Sequence, residues 1–164
     1  MASTYNGSVA NLVDPLANSP LNSPSHAGQH TEINDALQAL GTWTTFTPTY
    51  QNFTIGNGTQ SWAYTQFNKT VVVRGLVTWG STTSLSGDWV TLLPFSSQTG
   101  LFTGSATIRD SGTRLYVASV YAIGTTSFAL AHSESGNFGT VNATNPITWT
   151  TNDGLSVSII YEAA

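Results

Sequence analysis

KTVVVRGLVTW, running from Lys69 to Trp79, puts Val71, Val73, Val77 and Trp79 on one side of an extended chain. Thr70, Val72, Arg74, Leu76 and Thr78 fall on the other. A period of two over eleven residues, rich in β-branched side chains, is the signature of a β-strand with one face turned to a core. Gln60–Phe67, Asp88–Leu93, Leu101–Arg109, Arg114–Ile123, Ser127–His132 and Leu155–Tyr161 read the same way, with weaker candidates at Trp43–Thr47 and Pro146–Thr150. Gly56-Asn57-Gly58, Ser86-Gly87-Asp88, Asp110-Ser111-Gly112 and Asn152-Asp153-Gly154 supply turn chemistry between them.

Eight or nine short strands with regular turn signals predict an all-β domain over residues 42–164, an antiparallel, jelly-roll-like sandwich. Several strands are apolar on both faces. Val72, Leu76 and Ile160 oppose the inward set, so part of the outer surface is expected to meet neighbouring subunits rather than water.

Composition agrees. Of 164 residues only 7% are charged, against about 25% in an ordinary soluble domain, while Ser and Thr contribute 45 residues and Asn 12. Hydroxyls and amides keep such a surface wet, and both suit strands and turns. Four basic residues against eight acidic ones cannot supply the cationic footprint that a phosphate backbone requires, so nucleic acid is not an expected partner. The absence of Cys excludes disulfides, thiol nucleophiles and iron–sulfur clusters. Met1–Ala17 carries neither a basic nor an apolar leader, and nowhere do about 18 apolar residues run together, so neither a secretory signal nor membrane insertion is expected.

The first 24 residues hold Pro15, Pro20 and Pro24 and read as an extended arm with a reach of up to about 80 Å. Leu12, Val13, Leu16 and Leu21 would let it dock onto another protein. Residues 25–41 follow with helix punctuation: a Ser-Pro start, Glu32 early and Gly41 as the stop. His26, His30, Ile33, Leu37 and Leu40 recur at spacings of 4, 3, 4 and 3, a narrow seam that suits self-association of identical helices. Two heptads are too short to hold a coiled coil alone, so the β-domain is expected to take part in the assembly. His26 and His30 on such an axis serve as register pins, or bind an ion.

A nucleophile elbow, a Walker loop, a dinucleotide fingerprint, a zincin helix and an EF-hand loop are all missing from the sequence, and no cofactor or metal is expected. His132 is the one histidine of the β-domain and reads as an edge-strand residue. A glycosidase would need paired carboxylates from Asp88, Asp110, Glu134, Asp153 and Glu162, but Asp88, Asp110 and Asp153 lie in turn text for which structure is reason enough. Five Asn-x-Ser/Thr sequons, at Asn6, Asn52, Asn57, Asn68 and Asn142, are close to what this composition gives by chance. Aromatic rings beside amides and hydroxyls are how a neutral surface grips sugars. Most rings in strand text belong to a core or a subunit contact; Trp62, Tyr64, Trp89 and Tyr116 are the candidates for glycan contact, with Phe67 on the face opposite Trp62 and Tyr64.

From Pro24 onward the chain resembles small virion proteins of tailed phages, of the minor tail, tail-fibre or head-decoration type. The strings that carry the resemblance are His26-Ala27-Gly28-Gln29-His30 with Ile33-Asn34-Asp35-Ala36-Leu37, then Trp43-Thr44-Thr45-Phe46-Thr47-Pro48 and Gly56-Asn57-Gly58-Thr59. Lys69-Thr70-Val71, Leu93-Pro94-Phe95, Thr148-Trp149 with Asp153, and Tyr161-Glu162-Ala163-Ala164 follow in the family's order. Ser61–Phe67 departs from it, standing where relatives often carry an arginine-rich strand. The resemblance implies a non-enzymatic homotrimer on the exterior of the virion: the arm bound to other virion proteins, helices bundled on the axis, three β-domains projecting. The expected function is a minor tail or tail-tip adhesin that meets host surface glycans, the alternative a capsid decoration spike with a purely structural role.

Overall fold

The alternation of Lys69–Trp79 becomes a strand in which Val71, Val73, Gly75 and Val77 are buried, while Thr70, Arg74 and Leu76 are exposed. The same period runs through most of the chain. A computed structural model describes residues 34–35, 41–134 and 137–164, and the chain divides into two units, Met1–Thr42 and Trp43–Ala164. In the first, Asn34 and Asp35 are helical and exposed. Leu12, Val13, Leu16 and Leu21 of the arm, and His26, His30, Ile33, Leu37 and Leu40 of the seam, lie outside the described residues.

Ten strands occur among the described residues: β1 (Thr44–Thr45), β2 (Tyr50–Thr54), β3 (Thr59–Phe67), β4 (Thr70–Thr78), β5 (Ser84–Leu92), β6 (Ser97–Asp110), β7 (Arg114–Ile123), β8 (Ser127–Glu134), β9 (Asn137–Thr140) and β10 (Gly154–Ala163). Every ladder is antiparallel, in the order β1-β3-β4-β10-β6-β7-β8-β5-β2, with β9 added to β8. Short turns set the hairpins. Asn68 takes φ 54° between β3 and β4, and Gly112 and Gly124 take φ 82° and 64° at the next two. These are left-handed conformations that Gly and Asn adopt most readily.

This single sheet curls into a half-barrel. Its end strands, β1 and β2, are consecutive in the chain, so residues 46–49 must cross from one edge to the other. Phe46 donates its N–H to Trp62 O at 3.1 Å on the β3 side, and Leu92 donates to Thr49 O at 2.9 Å on the β5 side. Indole Nε1 of Trp62 donates to the Tyr50 hydroxyl at 2.7 Å, and that hydroxyl donates to Gln60 Oε1. Side chains thus join the two edges where no ladder does.

The interior is filled by inward side chains of β3, β4, β5, β6, β7, β8 and β10. Trp89, Phe128, Ile108, Leu130, Leu155 and Ile159 are fully buried, each worth about 1.5–3 kcal/mol of apolar transfer where aliphatic or phenyl. Trp79 stacks on Trp149 with centroids 3.9 Å apart and planes 10° from parallel.

Three local expectations need correction. Pro146–Thr150 is loop rather than strand: Ile147 is buried and Trp149 donates Nε1–H to Asn142 O at 2.8 Å, so its apolar residues serve the core from irregular chain. Ser86-Gly87-Asp88 is not a turn but the middle of β5. A Cβ on Gly87 would come within 3.1 Å of the Asn52 side chain, a tight approach at a bulge where Asn52 takes φ 60°. His132 is not on an edge, since β9 pairs beyond it; it is buried, with Nδ1 2.9 Å from Val117 O and its ring edge-on to Tyr116. The sequon asparagines Asn52, Asn57, Asn68 and Asn142 have backbone work. Two hold positive φ, and the other two accept backbone N–H bonds, Asn57 Oδ1 from Thr82 at 2.9 Å and Asn142 Oδ1 from Thr144 at 3.0 Å.

Candidate functional site on the outer face of the sheet

Trp62, Trp89 and Tyr116, three of the four rings assigned to glycan contact, point into the curl and are buried, which corrects their expected role. The reason is parity combined with long-range register. Trp62 lies opposite Gly75, and a Cβ on Gly75 would meet the indole at 2.2 Å, so the ring rests on bare backbone. Trp89 contacts Phe53 at 4.5 Å and Tyr50 at 5.5 Å between centroids. Tyr116 has its inner edge on His132, with the Arg114 guanidinium 4.4 Å from the ring centre. Tyr64 is half-buried and packs against Phe46 and Phe95. The structure therefore gathers these rings as core, not as a sugar platform.

The carboxylates do not converge either. Asp153 is fully buried, its Oδ1 accepting from Ser111 N at 2.8 Å and its Oδ2 from Thr150 N at 2.6 Å, so it ties two turns together. Asp88 accepts from Thr140 Oγ1 at 2.7 Å. Among the described residues no group of three His, Cys, Asp or Glu could hold a metal ion, and no helix is long and apolar enough to cross a membrane.

What remains is the outer face of β4, β10, β6 and β7. Register sets its side chains in rows. Thr78, Gly154, Arg109 and Leu115 form the first; Leu76, Ser156, Thr107 and Val117 the second; Arg74, Ser158, Ser105 and Ser119 the third; Val72, Ile160 and Thr103 the fourth. The third row is a hydroxyl belt. Apolar side chains stand on either side of it, with Val117 at 72% and Leu115 at 65% exposure, the largest on the side of the first two rows.

Charge on this face is sparse, and two of its arginines are engaged. The Arg74 guanidinium lies 4.1 Å from the centre of the Trp43 ring, and Arg109 Nη2 donates to Asn152 O at 3.0 Å. A twisted sheet face of hydroxyls and exposed aliphatic side chains, with little charge to keep a partner away, is fit to be covered. The apolar positions Val72, Leu76 and Ile160 are the ones that opposed the inward set in the sequence. Leu115 and Val117 are not separable there, because Tyr116, Ala118 and Val120 of the alternate set are equally apolar.

Compared with protein families, with curated proteins and with solved structures, the chain matches none.

Proposed function

We propose that the chain is a structural protein of a tailed-phage virion, a minor tail or tail-tip knob in which three jelly-roll-like β-domains associate and an N-terminal arm and helix anchor them. The observation that carries this reading is the exposed pair Leu115 and Val117, with Leu76 in the same row as Val117, on a sheet face almost free of charge. Burying such a face between copies returns about 25 cal/mol for each Å² removed from water, and a threefold arrangement lets the helices of residues 25–41 meet on the axis. Display in three copies also suits weak contact with a host surface glycan, since avidity multiplies millimolar single sites.

The burial of Trp62, Trp89 and Tyr116 favours a second reading, the capsid decoration spike, in which the knob is structural and binds no sugar. Copy number in purified particles separates the two: a tail tip uses a handful, a shell many. The assembly itself is tested by light scattering on the full chain. Three copies of a 17.3 kDa chain weigh about 52 kDa, and Leu115→Ser with Val117→Ser shifts the mass towards one copy. A wild-type chain that stays at 17.3 kDa at micromolar concentration, and is missing from the particles, refutes the proposal.

A further inference from the structure

On the far side of the hydroxyl belt a groove of about 810 Å³ opens between the β3–β4 turn and the outer ends of β6 and β10. Phe67, Leu101 and Ile160 give it three apolar walls, and Lys69, Thr99 and Glu162 stand among them. Phe67 is 63% exposed and Leu101 77%. An exposed phenyl ring is ordinary; one carried on a hydrogen-bonded hairpin end beside polar groups is less so. Its turn is pinned at both ends: Gln66 Nε2 donates to Asn68 O at 2.8 Å, and Ala163 N of β10 donates to Lys69 O at 2.7 Å. Phe67 itself sits in the ladder opposite Thr70. The ring is thus presented from a hairpin end whose backbone is hydrogen-bonded on both sides, so less backbone freedom is left to lose on binding.

The Lys69 ammonium and the Glu162 carboxylate make no ion pair or hydrogen bond among the described residues, though both line the groove. This composition decides between occupants. A second copy that offered its aliphatic and hydroxyl face would strip water from both charges and return little hydrogen bonding to either. A neutral sugar would instead give the carboxylate its hydroxyl donors and the ammonium its oxygen acceptors, while its C–H face stacked on the phenyl ring. The size is within the range of about 300–1,000 Å³ usual for small-molecule clefts.

We infer that this groove is a saccharide site, with Phe67 as the stacking ring and Glu162 and Lys69 as the groups that orient sugar hydroxyls. The inference rests on the tail-knob reading, and it moves glycan contact from the buried rings to the opposite face of β3. The test is saturation-transfer NMR on the full chain with the methyl glycosides of D-glucose, D-galactose, L-rhamnose and N-acetylglucosamine, each at about 10 mM, above the millimolar Kd of a single weak site. Transfer to the ring protons of at least one sugar is expected. Phe67→Ala should abolish it, Phe67→Trp should retain it, and Thr113→Ala, in the exposed β6–β7 turn outside both the groove and the proposed assembly face, should leave it unchanged.

No transfer to any of the four sugars, or transfer that survives Phe67→Ala, overturns the site. So does a fall in assembly mass on Phe67→Ala, which would make the groove a contact between copies. Particle copy number and wild-type mass test the virion reading separately, so a knob that assembles but binds no sugar removes only this inference.

Discussion

Replacing Gly75 with Ala adds one methyl group where the fold has no room for it. The new Cβ would lie 2.2, 2.3 and 2.5 Å from Cζ3, Cε3 and Cη2 of Trp62, whereas carbon atoms rest about 3.5–4.0 Å apart. The indole must withdraw by more than about 1 Å, and it is enclosed by Phe46, Tyr50 and Phe128 at centroid distances of 6.1, 6.3 and 6.4 Å. Overpacking of this kind costs about 1–3 kcal/mol. Withdrawal also breaks the Nε1–H bond to the Tyr50 hydroxyl, worth about 1 kcal/mol net, while Ala in place of Gly in a strand returns about 0.5–1 kcal/mol. The expected loss is about 2–3 kcal/mol, or roughly 8–12 °C in Tm for a domain of this size. Thermal and urea unfolding read by tryptophan fluorescence measure it. Trp62→Leu in the Gly75→Ala background should cost less than the two single changes together, with a coupling of about 1 kcal/mol or more. A neutral or stabilising Gly75→Ala would mean that the ring swings out freely, and would restore Trp62 as a candidate for surface contact.

Asp153→Ala removes the acceptor for Ser111 N, Thr150 N and Thr150 Oγ1, and the loss of these charge-assisted bonds should lower stability by about 3–4 kcal/mol in urea unfolding. An effect below about 1 kcal/mol would deny that this carboxylate ties the two turns. Thr91→Val should be stabilising, by about 1 kcal/mol, because Thr91 Oγ1 is buried without a hydrogen-bond partner and the change exchanges an unsatisfied hydroxyl for a methyl group of equal size; a loss of stability would refute this. Burial pushes the Tyr161 hydroxyl up to about 12, above the effect of its bond to the Phe95 carbonyl, and burial likewise raises Tyr50. The unfolded chain ionises near pH 10, so the stability these groups hold is complete below that pH and declines as pH rises towards 12. Tm against pH should bend downward above pH 10, less so in Tyr161→Phe, and an unchanged bend would remove Tyr161 from the cause.

The legible parts of this fold are those where one face of a strand is plainly apolar and the other plainly polar, as in β4. Parity then fixes both the strand and its inward set. It fails where the backbone departs from the pleat. β2, Tyr50–Thr54, shows no alternation because at Asn52, φ 60°, the register with β5 jumps from Gln51↔Val90 to Phe53↔Leu85 and both Tyr50 and Phe53 end on the core side. In β5 the glycine that suggested a turn is the consequence of that same bulge, pressed against Asn52 from the neighbouring strand. Two misreadings therefore have one physical origin, a contact between residues 35 positions apart that no local pattern encodes.

Parity also tells which rings share a face without telling which face is inside. Trp62 and Tyr64 fall together and Phe67 opposite, and that division holds; its assignment to core and surface required knowing that β3 lies next to one edge, beside the two-residue β1, of a sheet whose other edge, β2, curls back to meet it. The Trp62–Gly75 pairing is where the assignment is made. Opposite Trp62 the bare backbone of Gly75 leaves room for the inward ring to lie on the strand, and from there Nε1 reaches Tyr50. With the indoles committed to closing the curl, the outer face of β3 is left with one aromatic residue, Phe67, at the end of its hairpin. The same register that presses Trp62 onto Gly75 leaves Phe67 as the exposed ring of β3.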